Sequence, residues 1–171
     1  MKQSEVQGVI VTEGTVRPEW IDVNNHMNVA WYVAAFDLGI DSLWEHFGIN
    51  DAYINGSQRS TFAVECHVTY QQELLEADPY IVTSQILAYD AKRLHHFQRL
   101  YHAEDGYLSA TAEWMTLHVD LSVRRVSPWA DEVLAAIGSF AARQPCTAKP
   151  AELCGHMLVK APLYDLYEST S

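Results

Sequence analysis

The sequence predicts an α+β domain in which an antiparallel sheet wraps around one long central helix. Three observations predict it. Residues 29–46 carry a single apolar stripe at helical spacing. From residue 62 to residue 120 the period falls to two, through four successive strand-like runs joined by turns. No helical segment separates those runs, so the strands are joined as antiparallel neighbours rather than through parallel βαβ crossovers.

The elements follow in order. Residues 6–16 (VQGVIVTEGTV) are β-branched and short, a first strand, and Pro18 ends it before a polar loop at 20–28. In the long helix Val29, Val33, Phe36, Ile40, Leu43 and Phe47 recur at steps of three or four. Asn25 or Asn28 is placed to cap its N-terminus and Gly48 its C-terminus. Ala30, Ala34 and Gly39 keep it slim enough to approach a sheet, and Asp37, Asp41 and Glu45 form an acidic edge. Residues 49–60 read as loop. In the strand at about 62–74, Phe62, Val64, Cys66, Val68 and Tyr70 face one way, and Ala63, Glu65, His67 and Thr69 the other. Strands follow at 79–89, 93–103 and 107–120, with a tight turn at Asp90–Lys92 and another at residues 103–106. Ser127-Pro128 opens a second helix near 128–142, Ser as cap and Pro at the first helical position. Residues 143–171 hold three prolines and little periodicity, as a packed tail or a partly ordered arm. The 171 residues make a single domain with its core at about 6–125.

Composition narrows the function classes. The formal charge of −11 disfavours nucleic acid and anionic membrane as partners. No run approaches the ~18 apolar residues that span a bilayer. The start, MKQSEVQGVIVTEG, does not read as a signal peptide. Cys66, Cys146 and Cys154 have no paired spacing, as in a reducing compartment. A cytoplasmic protein is expected. The eight histidines show no metal-ligand spacing, so neither a metal nor another cofactor is expected.

The densest chemistry lies in WIDVNNHMNVAWYVAAFDLGI, residues 20–40, where Asp22, Asn24, Asn25, His26 and Asn28 crowd the start of the apolar helix. Asp and Asn there serve as helix caps. A helix N-terminus also offers unpaired backbone amides and the positive end of the helix dipole, a site for developing negative charge.

That loop, read as D-x-x-N-H-x-N-x-x-x-Y, together with the strand order, resembles the hotdog-fold acyl-CoA thioesterases of the 4-hydroxybenzoyl-CoA thioesterase type. The matching residues are Asp22, His26, Met27, Asn28 and Tyr32, and the resemblance covers roughly residues 10–125. Asn25 stands where the family has Gly, and Val29 where a second Asn is common. VRPEWID, NHMNVAWYVAAFD and AKRLHHFQRL are further similar to the betainyl-CoA subgroup.

The resemblance implies a hotdog fold, thioester hydrolysis, acyl-CoA as substrate, and a homodimer or tetramer with sites at the subunit boundary. It gives Asp22 the role of general base or of nucleophile. The amides near Met27, Asn28 and Val29 then polarise the thioester carbonyl, while His26 and Asn28 orient water or the loop. Met27 and Tyr32 are placed as substrate contacts. Glu65, on the polar side of a strand expected beside the helix, is a second candidate carboxylate, with His67 on its face and Glu113 as neighbour. Lys92, Arg93 and Arg99 are the candidate phosphate contacts, with Arg124 and Arg125 after the last strand. A hotdog enoyl-CoA hydratase and a non-catalytic acyl-CoA-binding module stay open as alternatives.

Overall fold

The computed structural model describes residues 6–145 and 148–166. Five principal strands, β1 (Val9–Thr15), β2 (Arg59–Tyr70), β3 (Pro79–Tyr89), β4 (Arg93–His102) and β5 (Leu108–Asp120), form one antiparallel sheet in the spatial order β1-β3-β4-β5-β2. Two short strands extend it: β6 (Arg125–Val126) beside β5, and β7 (Tyr164–Asp165) beside β3. Among the described residues three α-helices accompany it, α1 (Val29–His46), α2 (Asp51–Ser57) and α3 (Asp131–Arg143).

Helix α1 lies against the inner face of the sheet. Asn28 caps it, its side chain accepting from the Ala30 amide at 3.0 Å, and Gly48 follows the helix at φ +77°. The buried stripe is Tyr32, Ala35, Phe36, Gly39, Ile40, Leu43 and Trp44. It is rotated from the expected one, because Val29 and Val33 stay exposed. The large rings decide the rotation. Trp44 packs near His96 and Trp129, and Tyr32 reaches the Leu74 amide. Close approach depends on Ala35 and Gly39, whereas Ala30 is exposed and Ala34 only half-buried. A Cβ on Gly39 would meet Gln98 Nε2 at 2.9 Å and Val82 Cγ1 at 3.0 Å.

Side chains alternate along β4. Leu94, His96, Gln98 and Leu100 point inward, as the bond from Gln98 to the Phe36 carbonyl requires, so His95, Phe97 and Arg99 point outward. Both sets are buried, because residues 148–166 lie across the outer face. Met157 and Val159 pack on Ala88 and Met115, and Leu166 on Leu87 and Phe97. The described part of the tail is therefore packed. Inside, His96 is fully enclosed between Trp44 and Trp114 with no hydrogen-bond partner on either ring nitrogen.

Three local expectations need correcting. Residues 49–60 are not all loop: Asn50 caps α2 by accepting from the Tyr53 amide, and Gln58 at φ +55° ends it. That helix buries no residue, so it left no apolar stripe to read. Helix α3 starts at Asp131 rather than Pro128, since Trp129 is buried and its indole donates to the Asp90 carbonyl. Ser127 hydrogen-bonds to His118 instead of capping. In β2 a bulge between Ala63 and Glu65 breaks the simple alternation, so Phe62 shares a face with Glu65 rather than with Cys66.

Candidate active site

The residues ahead of α1 form a miniature hairpin. Ile21 bridges Met27, the Asp22 amide donates to the His26 carbonyl at 3.0 Å, and the Asn25 amide donates to the Asp22 carbonyl at 3.0 Å. Asn25 sits at φ +63°, the left-handed conformation that Gly adopts freely and Asn tolerates best among other residues. The Gly-to-Asn departure therefore preserves the turn. The hairpin is clamped at both sides, the Met27 amide on the Leu74 carbonyl at 2.8 Å and the Asn28 amide on the Trp20 carbonyl at 2.9 Å. Trp20, 4 % exposed and stacked on Trp31, anchors it to the core.

These bonds change which amides are available. Met27 and Asn28 spend theirs on the clamp, and the Ala30 amide is taken by the Asn28 cap. Among the described residues, the Val29 amide alone of these four donates to no protein acceptor. Of the amides at residues 27–29, that of Val29 is thus the one open to a ligand among the described residues.

Asp22 is partly buried, its side chain 19 % exposed. Its Oδ1 accepts from the Asn24 amide at 2.8 Å and lies 3.9 Å from His26 Nδ1. The Met27 carbonyl, 3.2 Å from His26 Nδ1, favours the tautomer that donates there and leaves Nε2 as an acceptor. His26, Met27, Val29 and Tyr32 line a shallow depression of about 180 Å³, closed on the far side by Tyr70 and Glu73. Asp22 adjoins this depression through His26 but does not line it. Tyr32 is 4 % exposed; its ring meets Tyr70 edge-on at 5.3 Å, and its hydroxyl accepts from the Leu74 amide at 3.0 Å. Burial pushes its pKa up, so it stays a neutral hydroxyl.

The other expected site residues lie elsewhere. Glu65 does not face the helix: it stands opposite Met115 on the outer face and hydrogen-bonds to His156 of the tail. The bulge, which carries no sequence signature of its own, is what sends it there. Glu113 is on that face too, its Oε1 on His95 at 2.8 Å and its Oε2 on the Cys154 amide at 2.7 Å. Burial alone would raise its pKa, but these bonds outweigh burial and hold it below the ordinary value. Lys92, Arg93 and Arg99 do not form one basic cluster. Lys92 is exposed at the β3–β4 turn, Arg93 faces Asp90 at 3.6 Å, and Arg99, about 20 Å further along β4, is buried on the outer face. Arg124 lies over the Phe62 ring. Among the described residues no three His, Cys, Asp or Glu side chains converge as metal ligands.

Tyr70, Gln72, Glu73 and Leu74 were missed as parts of the site. They lie at and just beyond the end of β2, roughly fifty residues after Asp22, and only sheet pairing brings them to the helix start. The one available signal was Tyr70, a ring closing an alternating strand.

Comparison with known proteins agrees with this architecture. Residues 16–137 match the thioesterase-like superfamily. A betainyl-CoA thioesterase of Pseudomonas aeruginosa is 37% identical over 129 residues, covering 75% of this chain and 81% of that protein. An L-carnitine dehydrogenase/betainyl-CoA thioesterase of Rhizobium meliloti is 34% identical over 74% of this chain, which spans only 25% of that protein. A Staphylococcus aureus protein solved in complex with CoA superimposes with a TM-score of 0.81 at 31% identity, covering 91% of this chain and 98% of its own. No helix of the described chain is long and apolar enough to cross a membrane. The chain belongs to the thioesterase-like superfamily and is a hotdog-fold acyl-CoA thioesterase.

Proposed function

We propose that this enzyme hydrolyses betainyl-CoA, or a similarly small cationic acyl-CoA, with Asp22 activating the attack and the Val29 amide holding the oxyanion. The observation that carries the reading is the helix-start loop itself: His26 lines the same depression as the Val29 amide, which donates to no acceptor among the described residues, and the Asp22 carboxylate lies 3.9 Å from His26. In this scheme Asp22 takes a proton from water as the oxygen adds to the thioester carbon. The carbonyl electron pair moves to oxygen and is met by the Val29 N–H. Collapse breaks the C–S bond, and the CoA thiolate leaves and takes up a proton. Direct attack by the carboxylate, through an anhydride that water then opens, uses the same geometry.

The depression suits a trimethylammonium group. Tyr32 and Tyr70 offer ring surface, and Glu73 offers a negative charge. The 37% identity to a betainyl-CoA thioesterase supports the same acyl group.

Assembly completes the reading. Strand β2 is a twelve-residue edge, with Val64 and Tyr70 exposed, and Val29, Val33 and Leu38 are exposed on α1. Two copies paired along this edge cover it, as an unprotected long edge requires. Helix α1 spans about 27 Å, and the Lys92–Arg93 turn lies at its far end. An antiparallel pair therefore brings a second copy's turn toward the helix start, within reach of CoA phosphates. This pairing makes a homodimer, and light scattering on the purified protein measures its mass.

The test is CoA release from a panel of acyl-CoAs, followed with a thiol reagent. Betainyl-CoA should be the best substrate, and Asp22→Asn should lower kcat by about 10²–10⁴. Hydration of crotonyl-CoA without CoA release, or full turnover by Asp22→Asn, overturns the proposal.

A further inference from the structure

Beneath the tail, on the face of the sheet away from α1, lies a buried cation that meets no carboxylate among the described residues. Arg99 is 2 % exposed. One guanidinium nitrogen, Nη1, donates to Gln85 Oε1 at 2.9 Å, and the group lies over the Phe97 ring at 4.8 Å. Gln85 in turn donates to the Ala148 carbonyl at 3.1 Å, which fixes it between the guanidinium and the tail. Among the described residues no Asp or Glu forms an ion pair with Arg99. An arginine carries five N–H donors, so most of its hydrogen-bonding capacity is left unused. The donors that Gln85 does not use face the adjoining cavity.

The surroundings indicate what would use that capacity. Arg99 lines a cavity of about 470 Å³ together with Tyr101, Leu108, Lys149 and Glu152. Residues Lys149, Pro150 and Ala151 are shared with a second cavity of about 260 Å³, whose walls include Leu87, Ala88, Met157 and Val159. A cationic end and an apolar end therefore adjoin under one strap of chain.

We propose that this pair of cavities binds a small monocarboxylate with a short alkyl chain, its carboxylate on the Arg99 guanidinium and its chain in the apolar cavity. The planar guanidinium fork matches a carboxylate. Glu113 and Asp165 line the apolar side and Glu152 the polar side, which disfavours a multiply charged phosphate. The site is separate from the helix-start loop, because the sheet lies between them.

The experiment is a titration of the purified protein with hexanoate, acetate and inorganic phosphate. It is followed on the ¹⁵N-resolved Arg99 Nε–Hε signal and by calorimetry. Hexanoate should shift that signal saturably and bind more tightly than acetate. Arg99→Met should weaken hexanoate binding by about tenfold or more, the loss expected for a charge-assisted hydrogen bond. An Arg99 signal that hexanoate leaves unmoved overturns the proposal, and so does unchanged hexanoate affinity in a folded Arg99→Met protein. Phosphate acting as strongly as hexanoate overturns the carboxylate assignment. The wild-type titration decides by itself if the variant does not fold.

Discussion

Replacing Val29 with Pro separates the proposed oxyanion donor from every structural role of the same loop. Val29 is the first residue of α1, where proline is favoured because its missing amide has no partner within the helix. The preceding residue, Asn28, already has φ −65° and ψ 143°, the extended conformation that a following proline imposes. The Val29 side chain is 56% exposed, so little burial is lost. The Asn28 cap acts on the Ala30 amide and is untouched. Stability should therefore change by less than about 1 kcal/mol. Catalysis should not survive as well: removing one oxyanion donor lowers kcat by about 10²–10³, which is about 3–4 kcal/mol of transition-state stabilisation. KM should move far less, because the oxygen becomes an anion only in the transition state. The assay is steady-state CoA release, with Val29→Ala as a control that keeps the amide and circular dichroism melts for both proteins. A Val29→Pro enzyme with the turnover of Val29→Ala would refute the assignment.

Three further outcomes follow from the packing. Burial, and then the neighbouring His95, push the His96 pKa down from 6.5 to about 3, so His96 stays neutral in the fold while the unfolded chain takes up a proton below pH 6.5. Its contribution is present above pH 6.5 and lost toward pH 3, amounting to about 2 kcal/mol by pH 5. Urea titrations at pH 7.5 and pH 5 should show His96→Phe losing that much less than the parent, and equal losses contradict the burial argument. Gly39→Ala gains about 1 kcal/mol of helix propensity. It also forces a Cβ to within 3.0 Å of Val82 and against the Gln98 amide that bonds to Phe36, which costs about 1–3 kcal/mol. Net destabilisation of about 1 kcal/mol is expected in urea, and a stabilised variant would show that the sheet yields. Asn28→Ala removes the cap of α1 and should cost about 1 kcal/mol by the same measurement; no change would mean that water caps the helix equally well.

Some of this protein was legible from residues in chain order. The long helix, its Asn28 cap, the four later strands and the loop that crowds Asp22 and His26 all depend on neighbours within a few positions. Helical spacing, alternation and capping are local physics, so the sequence by itself determined them, along with the resemblance to acyl-CoA thioesterases. The rest needed contacts between distant residues. Which face of α1 is buried followed from Trp44 and Tyr32 finding partners across the sheet rather than from the valines. The side on which Glu65 stands turned on a one-residue bulge in β2. Which amide stays open at the helix start was decided by Leu74 and Trp20 claiming its two neighbours. Arg99 reads in sequence as one more basic residue after Lys92 and Arg93. Only the tail folded across the sheet buries it, and that tail carries no periodic pattern to announce where it packs.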